Sequence, residues 1–299
     1  MNRPPQFVLI GAPKSGTSSL YEYLKQHPRL FMPRNKEPAF FCGYRRNFRG
    51  PASRDFNRNL VTDPKVYLGL FDEAVNGALT GEASTDYLSC PQAPLRLKEW
   101  NPNVKIIACL RNPIDRAYSE HMHLVRDLLE QEDFATALRL EGERRANGWI
   151  PLFWHVERGL YYEATRRYID TFGRANVKII FHEDLLRSPE SVVRDLFEFL
   201  EVPPVPTEVA KMHNVSGYPI IKPLQSFLLK ENRLKTSIKG LIAEKRRLSI
   251  KEALLAANMR TKKIPRADFE YLRARFDRDV VRLQELLQVD LSHWLADRY

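Results

Sequence analysis

The segment Phe7-Val-Leu-Ile-Gly-Ala-Pro-Lys-Ser-Gly-Thr-Ser-Ser-Leu20 constrains this chain more than any other. A short apolar run rich in β-branched residues stops at Gly11, a tight loop follows, and a helical pattern begins near Thr17. The first N–H groups of such a helix have no internal partner and its dipole is positive there, so an anion is held well. Lys14 adds a full charge, Thr17, Ser18 and Ser19 offer hydroxyl donors, and Gly16 lets the backbone approach a ligand closely. The nucleoside triphosphatase order GxxxxGK[ST] is absent, because here the lysine precedes the glycine. Neither a magnesium-binding hydroxyl nor a β,γ-phosphate lysine is placed as an ATPase requires. The plain alternative is a strand–turn–helix with a solvent-exposed lysine.

Beyond this segment, short apolar runs alternate with longer helical patterns. Phe7–Ile10, Leu79–Ala83, Ile106–Leu110 and Val177–Phe181 read as strands. Thr17–Gln26, Pro113–Leu129, Phe134–Asn147, Glu157–Phe172 and Pro189–Leu200 read as helices, with Pro113 and Pro189 in first turns and Ser188 as an N-cap. The alternation predicts an α/β fold of three layers, a mostly parallel sheet with helices on both faces. Ligands then bind beyond the C-terminal strand ends, at the loops after Ile10, Ala83, Leu110 and Phe181. From Lys222 onward no strand is expected. Leu272, Phe276, Val280, Leu283 and Leu287 mark one buried helix face, and the region reads as a C-terminal helical lobe. With no Gly- or Ser-rich linker, the expectation is a single domain over 1–299, a core of about 5–205 and a basic helical lobe of about 218–299.

The net charge of +10 suits a protein that handles anions. Twelve lysines and arginines between Lys222 and Lys263 face only three glutamates, so much of the excess is local. Three widely spaced cysteines, Cys42, Cys90 and Cys109, form no CxxC pair, which argues against a disulfide framework or a zinc site. No metal is expected. The apolar run at the start is too short for a secretory signal, and no segment approaches the ~20 apolar residues of a membrane span. A cytoplasmic setting is expected.

Lys105 to Ser119 repeats the strand–loop–helix plan. Arg111 ends the strand, and Ser119 lies about two turns into the helix opened by Pro113. An arginine fork and a hydroxyl suit a terminal phosphate. Alternatively, Arg111 caps the sheet edge through a salt bridge with Asp115.

Pro13-Lys14-Ser15-Gly16-Thr17-Ser18-Ser19 resembles the 5′-phosphosulfate loop of the sulfotransferases that use 3′-phosphoadenosine 5′-phosphosulfate (PAPS). The resemblance covers Phe7 to Leu200 and implies the P-loop NTPase-like sulfotransferase fold. It also implies that Lys14 contacts the bridging and leaving oxygens while Ser15, Gly16, Thr17, Ser18 and Ser19 hold the 5′-phosphate. Arg111 and Ser119, eight apart, match that family's 3′-phosphate site. PAPS is then the donor, the bisphosphate PAP the product, and no obligatory metal is involved. The motif pattern is nearest the heparan sulfate branch, in a soluble bacterial-type member. There a basic loop before the last helix closes over the 3′-phosphate, a part that Lys262 and Lys263 are placed to play; a solvated lysine pair is the equal alternative.

Asn35-Lys36-Glu37-Pro38-Ala39-Phe40-Phe41 resembles the Glu-x-x-Phe-Phe context of that branch's catalytic glutamate. Glu37 is therefore the candidate general base, with Phe40 and Phe41 expected as an apolar wall that raises its pKa. A surface glutamate in a proline turn is the alternative. Glu82 follows a strand and is expected to face the cleft, and Asp86 and Tyr87 are candidate acceptor contacts. The residue after Glu82 is often a lysine in the resembled branch and is Ala83 here. The seven histidines read as structural or surface residues, His182 the least firmly; Tyr161 and Tyr162 read as helix packing or cleft lining. The acceptor is expected to be a carbohydrate hydroxyl or amine. A small metabolite or a lipid-linked acceptor is the alternative, with membrane contact through the basic lobe. Nucleic acid is not expected as a partner, and a kinase-like nucleotide-binding protein is a remote rival.

Overall fold

The structure is a computed structural model that describes residues 4–209, 218–229, 253–255, 257–260 and 262–299. Most of the basic stretch, with Leu241, Ile242 and Thr261, and also His213, lies outside the described residues.

Five parallel strands form the sheet: β1 (Phe7–Gly11), β2 (Leu30–Phe31), β3 (Leu79–Ala83), β4 (Lys105–Leu110) and β5 (Val177–Phe181), in the order β2-β3-β1-β4-β5. Strand β1 lies centrally, with Phe7 opposite Gly81 on one side and Lys105 on the other. Its residues alternate between two buried clusters. Val8 and Ile10 join Ile106 and Ala108 on one face, while Phe7 and Leu9 join Ile107 and Cys109 on the other. A sheet buried on both faces needs helices on both, which is the three-layer arrangement expected.

Helices α1 (Thr17–Leu24) and, further along the chain, α9 (Pro189–Phe199) cover the second face; α4 (Ala93–Trp100), α5 (Pro113–Arg126) and α7 (Tyr161–Phe172) cover the first. Between these run α2 (Ser53–Asn59), α3 (Pro64–Gly69), α6 (Phe134–Ala146) and α8 (His182–Arg187). After α9 come β6 (Tyr218–Pro219), α10 (Lys222–Leu229), β7 (Met259–Arg260) and α11 (Arg266–Leu287). The buried stripe Phe269, Leu272, Phe276, Val280 and Leu283 of α11 sits in the same cluster as Val8.

Three local expectations change. The helix expected over Glu157–Phe172 breaks at Leu160, whose backbone is extended, into a 3-10 turn at Glu157–Gly159 and then α7. Gly159 packs so closely on α11 that a Cβ there would stand 2.8 Å from the Phe276 ring. Asp279 of α11 then accepts hydrogen bonds from the Tyr161 and Tyr162 N–H groups, a cap supplied from another helix. Ser188 occupies the N-cap of α9 but makes no side-chain cap bond. Beyond Lys222 a strand does exist: β7 pairs antiparallel with β6, Tyr218 opposite Arg260. Two-residue strands such as β2, β6 and β7 carry no periodicity that a sequence could display.

Candidate active site

At the C-terminal ends of β1, β3 and β4 opens a cleft of about 1310 Å³. It gathers the Lys14 loop, Arg111, Ser119, Glu37, Asp86 and the Lys262–Lys263 pair into one cavity wall, although these residues come from widely separated parts of the chain.

The loop after β1 is shaped by its backbone. Gly16 is the N-cap of α1 at φ 91°, a left-handed conformation that glycine adopts without strain, and a Cβ there would meet the Leu185 side chain at 2.6 Å. No acidic residue stands in the first turn of α1 to compete with an incoming anion. Thr17, Ser18 and Ser19 all line the cleft. Ser15 differs from expectation: it is fully buried and its hydroxyl turns inward to the Pro13 carbonyl. Lys14 is pulled down to about 8, first by burial and then by the neighbouring cations Arg126 and Arg111. A desolvated ammonium among guanidinium groups is an arrangement that a multiply charged anion relieves, so these residues fit a phosphosulfate donor.

Arg111 Nη1 donates to the Lys14 carbonyl oxygen at 3.0 Å, which joins the ends of β4 and β1. Asp115, the alternative partner, instead accepts from Arg298 at 2.7 Å. The helix that carries Ser119 is fixed by Asn112, whose Oδ1 accepts from the Ile114 N–H and whose Nδ2 donates to the Trp294 carbonyl. Lys262 and Lys263 are exposed at the mouth, where the Tyr118 hydroxyl donates to the Lys263 carbonyl.

Glu37, in the same lining, sits at φ 64° with its N–H donating to the Ala83 carbonyl at 2.8 Å. Its Oε2 accepts from the Thr85 N–H at 2.6 Å and the Thr85 hydroxyl at 3.1 Å, and its Oε1 lies 3.4 Å from Lys36 Nζ. The carboxylate surroundings are therefore polar. Phe40 and Phe41 do not wall it: Phe40 stacks on Tyr67, and both rings meet Trp100 edge-on in an aromatic cluster behind the cleft.

Glu82 and Tyr87 also depart from expectation. Both are fully buried off the cleft, and Glu82 accepts hydrogen bonds from Tyr67, Ser84 and Tyr87 at 3.0, 2.9 and 2.6 Å. Strand alternation explains the placement, since Glu82 points to the aromatic side while the chain turns into the cleft only at Thr85. Asp86 does line the cleft, paired with Arg158 at 2.6 Å. Arg158 also holds Glu120 at 2.8 Å, and Glu120 in turn holds Arg116 at 2.8 Å. Burial opposes ionisation of Glu120, but Arg116 and Arg158 outweigh it and hold the carboxyl down to about 2.

Sequence reasoning missed several cleft residues. His123 and His182 line it, and each is pushed down to about 4 by burial first, then by Lys14 and Arg126 for the one and Arg111 for the other. His123 Nδ1 accepts from Arg126 at 2.6 Å, as a neutral imidazole does. His123, four residues past Ser119, and His182, at the end of β5, were visible only as scattered histidines. Lys36 was legible as the neighbour of Glu37, and its Nζ donates to the Ser18 hydroxyl at 2.9 Å. Outside the cleft, His121, Glu130 and His155 bring ligand-type atoms within 4.8 Å of one another. Glu130 is already engaged by both Arg144 nitrogens and two backbone N–H groups, so it belongs to an ion pair. Among the described residues, no helix is long and apolar enough to cross a membrane.

Comparison with known proteins agrees with this geometry. A family model for the sulfotransferase domain matches residues 4–222. The crystal structure of a sulfotransferase from Alicyclobacillus acidocaldarius superposes with a TM-score of 0.78 at 33% identity, covering 98% of this chain and 99% of that one. Heparan sulfate glucosamine 3-O-sulfotransferase 6 of Mus musculus is 27% identical over 225 residues, 75% of this chain and 60% of that protein. Carbohydrate sulfotransferase 15 of Homo sapiens is 26% identical over 253 residues, 67% of this chain and 44% of that protein. The chain thus spans about 60% of the length of the heparan sulfate relative, and the bacterial structure matches it at higher identity and over nearly its whole length. Its cradle at the end of β1, its arginine at the end of β4 and its match to the domain model together place it: the chain belongs to the sulfotransferase-domain family.

Proposed function

We propose that this chain transfers a sulfuryl group from PAPS to a hydroxyl or amine of a carbohydrate acceptor, acting as one catalytic domain. The observation that carries the reading is the contact chain Ser18–Lys36–Glu37, which ties a cleft carboxylate to the first turn of the anion-holding helix. A donor seated on that turn presents its sulfuryl group toward Glu37. In this reading Lys14 and the α1 N-terminus stabilise the leaving phosphate oxygen, and Glu37 removes the acceptor proton. Arg111 and Ser119, closed over by Lys262 and Lys263, hold the 3′-phosphate, and Asp86 faces the acceptor. The donor set is made of cations, hydroxyls and backbone N–H groups, which suits phosphate and sulfate oxygens and asks for no metal.

The glycan reading is supported by the similarity to two carbohydrate-modifying relatives and by the basic charge. A lipid-linked acceptor is the second reading, favoured by the exposed side chains Ile220, Ile221, Phe227 and Leu254, which in sequence lie just before or within the basic stretch. The test is transfer from labelled PAPS across a panel of glycans, lipid-linked sugars and small alcohols and amines, with Lys14→Ala and Glu37→Gln as controls. Glycan turnover lost in both variants supports the reading. Full rate in Glu37→Gln refutes the base assignment, and absence of PAP binding refutes the donor.

A further inference from the structure

Lys36 is a cleft cation that the roles of Lys14 and Glu37 leave unaccounted for. Consecutive residues of an extended chain point to opposite sides, yet Lys36 and Glu37 both line the cleft. The left-handed backbone at Glu37 makes this so, and the bond from its N–H to the Ala83 carbonyl holds it there. A non-glycine residue keeps such a conformation only where its surroundings enforce it, and such residues cluster at functional sites. The Lys36 ammonium consequently stands between two groups, 2.9 Å from the Ser18 hydroxyl on the first turn of α1 and 3.4 Å from the Glu37 carboxylate. Ala83, beside it, brings no charge of its own.

We propose that Lys36 is a further catalytic residue that moves its charge from the base to the sulfuryl group during transfer. The inference rests on the sulfotransferase reading above. In that reaction the acceptor oxygen or nitrogen forms a bond to sulfur, and its proton passes to the Glu37 carboxylate. The bond from sulfur to the bridging oxygen breaks, and its electron pair stays on the 5′-phosphate of PAP. Glu37 becomes neutral as it takes the proton, so the ion pair at 3.4 Å loses its Coulomb attraction at that moment. Negative charge meanwhile rests on the sulfuryl oxygens and grows on the departing phosphate oxygen, over the turn where Ser18 already holds Lys36. The ammonium has a flexible four-carbon stem and needs to move only between neighbouring partners. Lys14, desolvated beside Arg126 and Arg111, stays with the leaving group. The two lysines thus divide the work: one fixed on the phosphate, one shared between base and sulfuryl.

The test separates donor binding from turnover. PAP has no sulfuryl group, so Lys36→Met is expected to leave its affinity, read by calorimetry, within about threefold of wild type. Single-turnover release of labelled sulfate from PAPS, with water as acceptor where no better one is known, is expected to fall about 100-fold, the scale for losing one transition-state donor. Lys36→Cys, alkylated with 2-bromoethylamine to restore an ammonium, is expected to regain at least tenfold, with identically treated wild-type protein, whose Cys42, Cys90 and Cys109 are all buried, as the control. A Lys36→Met rate within threefold of wild type, or a loss that alkylation does not restore, overturns the proposal while PAP binding stands. Wild-type protein that binds no PAP overturns the sulfotransferase reading and this inference with it.

Discussion

Arg111 reaches across from the end of β4 to donate its Nη1 hydrogen to the Lys14 carbonyl oxygen at 3.0 Å. One guanidinium therefore both braces the loop that holds Lys14 and lines the cleft with its remaining donors. Lysine cannot do both, because it has a point charge rather than a planar fork. Arg111→Lys is expected to weaken PAP binding about tenfold and Arg111→Ala about 100-fold, each read by isothermal titration. Equal affinity for Arg111→Lys and wild type would remove the bracing role.

Lys14 itself supplies a pH test. Its ammonium is depressed to about 8 in the folded protein, from an ordinary 10.5, by burial and then by nearby Arg126. Between those values the unfolded chain binds the extra proton, so this group's contribution to stability rises with pH across that window. An anion on the cradle favours the charged form and reverses the depression. At pH 9, PAP binding is expected to draw in about one proton, seen as a dependence of binding heat on buffer ionisation enthalpy. Lys14→Met should abolish both the uptake and most of the affinity.

Glu82 gives the opposite slope. Burial pushes its carboxyl up to about 7, against the pull of hydrogen bonds from Tyr87, Ser84 and Tyr67. The folded state then holds the proton that the unfolded chain releases near 4.5, so this group's contribution to stability falls as pH rises from about 4.5 to 7. The full swing is about 3 kcal/mol. Urea unfolding at pH 5 and pH 7.5 should show Glu82→Gln gaining on wild type by that order at the higher pH. Parallel behaviour of the two proteins would contradict it.

Arg158 stands between two buried carboxylates, Asp86 at 2.6 Å and Glu120 at 2.8 Å. Arg158→Met strands Asp86 and leaves Glu120 to Arg116 alone, and unfolding free energy is expected to drop by about 3–5 kcal/mol. Adding Asp86→Asn should recover part of that loss, because it removes the stranded charge. Strict additivity in a double-mutant cycle would argue against the network.

Much of the donor side was legible in the sequence because it depends on local order. Phe7 to Ser19 is a strand, a turn and a helix start in immediate succession, and Lys105 to Ser119 repeats the plan, so Lys14 and Arg111 fall at strand ends without long-range information. The acceptor side was less legible. Glu37 was identified by its motif, but its partners Thr85 and Lys36, and the turning of Phe40 and Phe41 into another cluster, come from packing between distant segments. Glu82 was misplaced for the same reason: which face of β3 looks into the cleft is set by the strands and helices around it.

The sequence by itself therefore determined a parallel α/β sheet with cations and hydroxyls at two strand ends, since periodicity, proline placement and the Lys14 loop are properties of contiguous residues. Only the tertiary structure decided which charges share the cleft. It seated Lys36 between Ser18 and Glu37, withdrew Ser15, Glu82 and Tyr87 into the interior, and brought Arg158, Arg126 and two neutral histidines to the wall. The physical reason is that electrostatic contacts act over a few ångströms in space. Separation along the chain, such as the 72 positions between Asp86 and Arg158, says nothing about that distance until the chain is folded.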